Sequence, residues 1–149
     1  TFEPELVLVI GKNCRRVPRE RAMDYVFGYT LTNDLSARDI QNEEKQYTRC
    51  KSFDTFGPVG PTIVTGIDAS DLHITGYVNG EKRTDRRTSS LIFDIPTIVS
   101  FTPECMTLEP GDLISTGAGG VSEIKVRDTV VVKVEKVGRL TNPVIGWDD

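Results

Sequence analysis

Apolar positions fall in short, β-branched runs along this chain, and most of those runs read as strands. Residues 5–12, ELVLVIGK, are continuously apolar from Leu6 to Ile10 and stop at Gly11. That is the pattern of a strand buried on both faces. YTLTND, residues 29–34, predicts a second strand. In HITGYVNGEKR the dipeptide Asn79-Gly80 separates two short strands, a strong hairpin signal. DTVVVKVEKVG alternates in its second half, Lys133 and Glu135 against Val132 and Val134, and predicts another strand. LIFDIPTIVSF is rich in β-branched residues around Pro96 and reads as a strand, a turn and a further short element. LEPGDLISTGAGG reads as a strand ending in a glycine cluster.

Helical signals are few. VPRERAMDYVFG carries Pro18, tolerated in a first turn, then apolar Ala22, Tyr25 and Val26 before Gly28, and predicts a short helix. In LSARDIQNEEK, Ser36 and Asp39 form a capping pattern that starts a helix near residue 36. With no repeat and no low-complexity linker, residues 1–149 read as a single domain. Its class is mostly β (α+β), a mixed sheet or roll with a few short helices.

Charge and composition remove several function classes. A formal charge of -4 argues against nucleic acid as a partner. The densest basic cluster, Lys82-Arg83 with Arg86-Arg87, is interrupted by Asp85, follows Glu81, and reads as a solvated hairpin arm. Cys14, Cys50 and Cys105 are odd in number and widely spaced, which suggests neither a disulfide framework nor a zinc site. His73 is the only histidine, so no multi-histidine metal site can form within the chain. There is no apolar run long enough to span a membrane and no signal-peptide pattern, so the expected location is cytoplasmic. The chain begins in mid-pattern without a methionine, and an N-terminal segment is expected to precede it.

The acids then raise a question. In a strand, positions i and i+2 share a face, so Glu3 and Glu5 point the same way with their like charges close together. Asp34 ends the second predicted strand, just before a helix, where functional groups are often presented. Taken alone it is equally a turn or cap aspartate. Together the three carboxylates make an all-oxygen site suited to Mg²⁺, Mn²⁺ or Ca²⁺ rather than zinc. Arg38 and Gln41 lie three apart on one helix face and can orient a carboxylate or keto oxygen, or simply face solvent. Lys51, amid aromatic and Gly-Pro segments, is either partly buried beside a carboxylate or an ordinary surface lysine. Gly117, Gly119 and Gly120 can form an anion-approaching nest or a tight β-turn.

The segments EPELVLVIGK, NDLSARDIQ, KSFDTFGPVGP, VNGE and LEPGDLISTG occur in this order. Together they resemble the C-terminal catalytic domain of the fumarylacetoacetate hydrolase family, over about residues 3 to 144. The resemblance implies a mixed β-sandwich roll, usually dimeric, around a divalent metal, generally Mg²⁺. It places the family's E-x-E metal ligands on Glu3 and Glu5 and its third ligand on Asp34. Its substrate-binding arginine and glutamine fall on Arg38 and Gln41, and its active-site lysine on Lys51. The backbone of Gly117 and Ala118 would join Arg38 at the substrate's carboxylate end.

The implied chemistry is that of a metal-dependent enzyme on small 2-oxo or β-diketo acids, through an enolate-like intermediate. A 2-hydroxyhepta-2,4-diene-1,7-dioate isomerase/decarboxylase or an acylpyruvate-type C–C hydrolase is expected, as a homodimer with a place in aromatic catabolism. Two positions depart from the pattern. Ala118 stands where the family usually has threonine, ahead of a short loop, and His73 does not match the histidine that activates water in hydrolytic relatives. Those losses leave a rival from another class, a catalytically inert metal-binding domain on the same fold. Retention of Glu3, Glu5, Asp34, Arg38, Gln41 and Lys51 weighs against it.

Overall fold

The computed structural model describes residues 1–117 and 120–146. In chain order the elements are β1 (Phe2–Ile10), β2 (Val26–Leu35), α1 (Arg38–Glu43), α2 (Thr48–Lys51), β3 (His73–Val78), β4 (Glu81–Arg87), α3 (Ile95–Cys105), β5 (Leu113–Ser115), β6 (Thr129–Val134) and β7 (Gly138–Pro143). Two 3-10 segments, Arg19–Tyr25 and Thr88–Ser90, complete them. The strands form a three-stranded sheet of order β2-β1-β5 and a four-stranded sheet of order β4-β3-β6-β7. The mostly β class with a few short helices is as the sequence predicts. Every pairing of the named strands is antiparallel.

Alternation along β1 explains how the sheets meet. Leu6, Leu8 and Ile10 turn one way and enter a core with Tyr29 and Leu31 of β2 and Ile74, Val132 and Val134 of the second sheet. Phe2 shares that face and packs with Val78 and Val130. Glu3 and Glu5 therefore occupy the opposite face of β1. The hairpin at Asn79-Gly80 forms as predicted, with positive φ at both residues (51° and 85°), the geometry of a two-residue turn between right-twisted strands. The basic arm lies on β4, where Lys82, Arg83, Arg86 and Arg87 are exposed and three of them pair with Asp85, Glu81 and Asp71.

Three local readings are corrected. LIFDIPTIVSF holds no strand: α3 runs from Ile95 to Cys105, capped by the Asp94 side chain, which accepts the Thr97 amide at 3.0 Å. Its buried Ile95, Val99 and Pro103 recur every four residues, so a packed helical face overrides the β preference of its isoleucines and valines. The Ser36–Asp39 capping pattern is not used. Ser36 donates its amide to Thr1 O at 3.0 Å and prolongs the β1–β2 pairing, so α1 starts only at Arg38, with Ala37 as its uncapped N-cap. The helix after Pro18 is a 3-10 segment, Pro18 precedes it, and Val26 belongs to β2. All three cysteines are free. Among the described residues no helix is long and apolar enough to cross a membrane.

Candidate metal centre

The register of β1 and β2 assembles the acids. Glu3 is the direct partner of Asp34, and Glu5 is the partner of Thr32. Asp34 thus stands opposite one glutamate and diagonal to the other, on the same face. One ligand oxygen from each of the three lies within 4.8 Å of the others. Like charges placed opposite in a ladder are destabilising, and Glu5 is only 3% exposed.

The cations come from the segment after β2. The Ala37 amide donates to Cys50 O at 2.9 Å, which folds α2 back beside α1. Lys51, the last residue of α2, thereby pairs its Nζ with Asp34 Oδ2. Arg38 places Nη2 3.6 Å from Glu3 Oε1 and donates from Nη1 to Gln41 Oε1 at 2.6 Å. The structure thus brings Glu3, Glu5, Asp34, Arg38, Gln41 and Lys51 to one place.

Electrostatics show what the cluster wants. Burial pushes the Glu3 carboxyl up, against the pull of Lys51. Burial also raises Glu5, where the Ser115 hydrogen bond opposes it and the charge of Asp34 adds to it. For Lys51, burial works downward, but the hydrogen bond and charge of Asp34, with Glu3 and Glu5 behind, outweigh it and hold the ammonium charged. Three carboxylates facing two side-chain cations leave one negative charge in excess. An all-carboxylate donor set with surplus negative charge fits a hard divalent cation such as Mg²⁺, Mn²⁺ or Ca²⁺, and among the described residues no histidine or thiolate joins it to favour zinc.

Gly117, expected at the substrate's carboxylate end, has its amide engaged within the cluster. The Gly117 amide donates to Glu5 Oε2 at 3.0 Å, so it serves a carboxylate of the cluster rather than an outside anion. Ala118 and Gly119 lie outside the described residues. Ser115, which the sequence does not single out, donates its hydroxyl to the same oxygen of Glu5. Their separation of 110 residues left no local signal for that contact. His73 sits at the start of β3 with Nε2 against Asp85, so the chain's sole imidazole is engaged on the β3–β4 hairpin.

The model of the fumarylacetoacetate (FAA) hydrolase C-terminal domain matches residues 1–145. The chain belongs to the fumarylacetoacetate hydrolase family. Within that family it is similar to the crystal structure of a 5-carboxymethyl-2-hydroxymuconate delta-isomerase from Mycobacterium smegmatis. The two are 49% identical with a TM-score of 0.94, over 97% of this chain and 58% of that one. A 4-hydroxyphenylacetate degradation bifunctional isomerase/decarboxylase of Salmonella dublin is 44% identical over 149 residues, 97% of this chain and 35% of that protein. A fumarylpyruvate hydrolase from Pseudomonas aeruginosa, solved with Mn²⁺ and pyruvate, shares 28% identity and a TM-score of 0.89, over 97% of this chain and 65% of that one. The chain spans 60% and 56% of the length of two curated relatives, from Methanocaldococcus jannaschii and Mycobacterium tuberculosis.

Proposed function

We propose that this chain is the catalytic domain of a Mg²⁺-dependent isomerase/decarboxylase acting on unsaturated 2-oxo diacids of the 2-hydroxyhepta-2,4-diene-1,7-dioate kind. The observation that carries the reading is the convergence of Glu3, Glu5 and Asp34 within 4.8 Å beneath Lys51 and Arg38. The isomerase and isomerase/decarboxylase relatives at 44–49% identity support the substrate class. Mn²⁺ or Ca²⁺ suits the same donors.

Glu3, Glu5 and Asp34 hold the cation in this reading. When bound, it supplies Lewis acidity to adjacent substrate oxygens. It also turns the site's single excess negative charge into a single excess positive one, which draws in an anionic acid. Arg38, steadied by Gln41 and only 39% exposed, presents a planar fork that fits a substrate carboxylate. Gln41 keeps its amide NH₂ for a second substrate oxygen. Lys51, held as an ammonium, stabilises negative charge that develops on the oxo oxygen as the carbon skeleton reacts.

A second reading is an acylpyruvate C–C hydrolase, favoured by the likeness to the fumarylpyruvate hydrolase. Such an enzyme needs a base for water, and His73 is engaged with Asp85. The test is a Mg²⁺-dependent assay of the protein on an unsaturated 2-oxo heptanedioate, oxaloacetate, acetylpyruvate and fumarylpyruvate, with loss of the enol followed in the ultraviolet and products analysed. Isomerised or decarboxylated heptanedioate, abolished by EDTA, supports the reading. Cleavage of the acylpyruvates alone favours the hydrolase. No turnover with Mg²⁺ still bound returns the inert metal-binding domain.

A further inference from the structure

Each acid of the cluster is held through one oxygen, but not by the same kind of group. Asp34 is held by the Lys51 ammonium and Glu3 by the Arg38 guanidinium. Glu5, the most buried of the three, pairs with no cation among the described residues. Its Oε2 takes two neutral donors, the Ser115 hydroxyl and the Gly117 amide. The strand register explains why. Ser115 is the partner of Val7 on β1, and Val7 shares a face with Glu5, so the serine lies diagonal to the glutamate.

We propose that Ser115 is a positioning residue of the metal centre, fixing the Glu5 carboxylate through Oε2 so that Oε1 is turned to the cation. This rests on the reading that Glu3, Glu5 and Asp34 hold a divalent ion. A neutral anchor fixes the rotamer of Glu5 without cancelling its charge, so the most buried ligand keeps its full attraction for the ion. Removing a partner that orients a ligating group typically weakens metal binding about 10–100-fold. Gly117 completes the anchor. Its φ of +98° aims the amide at Oε2, and a Cβ there would meet no atom within 4 Å. An alanine therefore fits the space and acts only through backbone strain.

Calorimetric titration with Mn²⁺ tests this on the wild-type protein, S115A, S115T and G117A, with D34A as the control for the centre itself. Circular dichroism and melting of the metal-free proteins run alongside. S115A is expected to bind Mn²⁺ about 10-fold or more weakly with an unchanged metal-free melting curve. S115T, which keeps the hydroxyl, is expected to recover most of the loss, and G117A to weaken binding in the same direction. S115A binding Mn²⁺ as tightly as wild type, while D34A does not bind, overturns the positioning role and leaves the metal centre standing. Wild-type protein that fails to bind Mn²⁺, or D34A that binds it equally well, overturns the metal reading and this proposal with it. Loss of affinity in S115A that S115T does not recover also overturns it, because a hydroxyl is then not what matters.

Discussion

Lys51 Nζ lies against Asp34 Oδ2, although α1 and its flanking residues separate α2 from the end of β2 in the chain. The pairing holds a charged amine at the rim of the acid cluster. Replacing it by methionine keeps the stem and removes the charge. We expect K51M to bind Mn²⁺ at least as tightly as wild type, since one competing cation is gone, while kcat falls about 10²–10³-fold. Calorimetry and steady-state assays on the same preparation separate the two effects. Undiminished kcat would take Lys51 out of the chemistry.

Because three clustered carboxylates repel one another, a bound dication should stabilise the fold as well as enable chemistry. Mn²⁺ at about 100 times its Kd is expected to add about 2.7 kcal/mol to unfolding stability. D34A should lose that increment. Urea titrations with and without Mn²⁺ read it directly, and an equal gain in D34A would show that the ion binds elsewhere.

The ring of Phe2 packs on Gly76 of the facing sheet. A Cβ at Gly76 would lie 2.8 Å from Phe2 Cε2 and 2.6 Å from Thr84 Oγ1. The contact seats the start of β1 directly beside Glu3. Gly76→Ala must push the ring or β4 aside and is expected to cost about 1–3 kcal/mol. Phe2→Ala, which empties a fully buried position, should cost about 3–5 kcal/mol. Chemical denaturation of both variants checks the order, and a neutral Gly76→Ala would mean that the sheets can separate at that point.

Strands that bury a regular pattern were legible, and elements decided by distant packing were not. β1, the body of β2, the Asn79-Gly80 hairpin and β6 follow from alternation, apolar runs and turn chemistry within a few residues. The sharing of a face by Glu3 and Glu5 was equally local. What could not be read locally was register: nothing near Asp34 says that it stands opposite Glu3, and its grouping with the glutamates came from charge chemistry and family resemblance. Ser36 misled because its amide was needed by Thr1 in the ladder, a partner 35 residues away. The anchor on Glu5 was invisible for the same reason, since Ser115 reaches it only through the β1–β5 pairing.

α3 was misread on its β-branched content, yet it carried a usable signal in Asp94 followed by Pro96 and a buried residue every fourth position. The cap should therefore matter. D94A removes the acceptor of the Thr97 amide and the partner of Arg19 together. We expect a loss of about 1 kcal/mol, within the range for removed N-caps, and recovery of most of it in D94N or D94S, which keep an acceptor. If D94N is as unstable as D94A, the Arg19 contact rather than the cap carries the effect.

Asp85 gives the stability a dependence on acid. Hydrogen bonds from Lys82 and His73 lower its carboxyl from 3.8 to about 2. A carboxyl lowered on folding stabilises the native state above its unfolded value, and that contribution fades as pH falls from about 4 towards about 2. D85N cannot titrate and removes the contribution at every pH. Urea midpoints of wild type and D85N should therefore differ at pH 5 and converge by pH 2, with the convergence steepest between those two pKa values. The group is exposed, so the gap itself should be small and should shrink further in salt. A gap that stays constant from pH 5 to pH 2 would mean that Asp85 acts through its shape or its backbone rather than its charge.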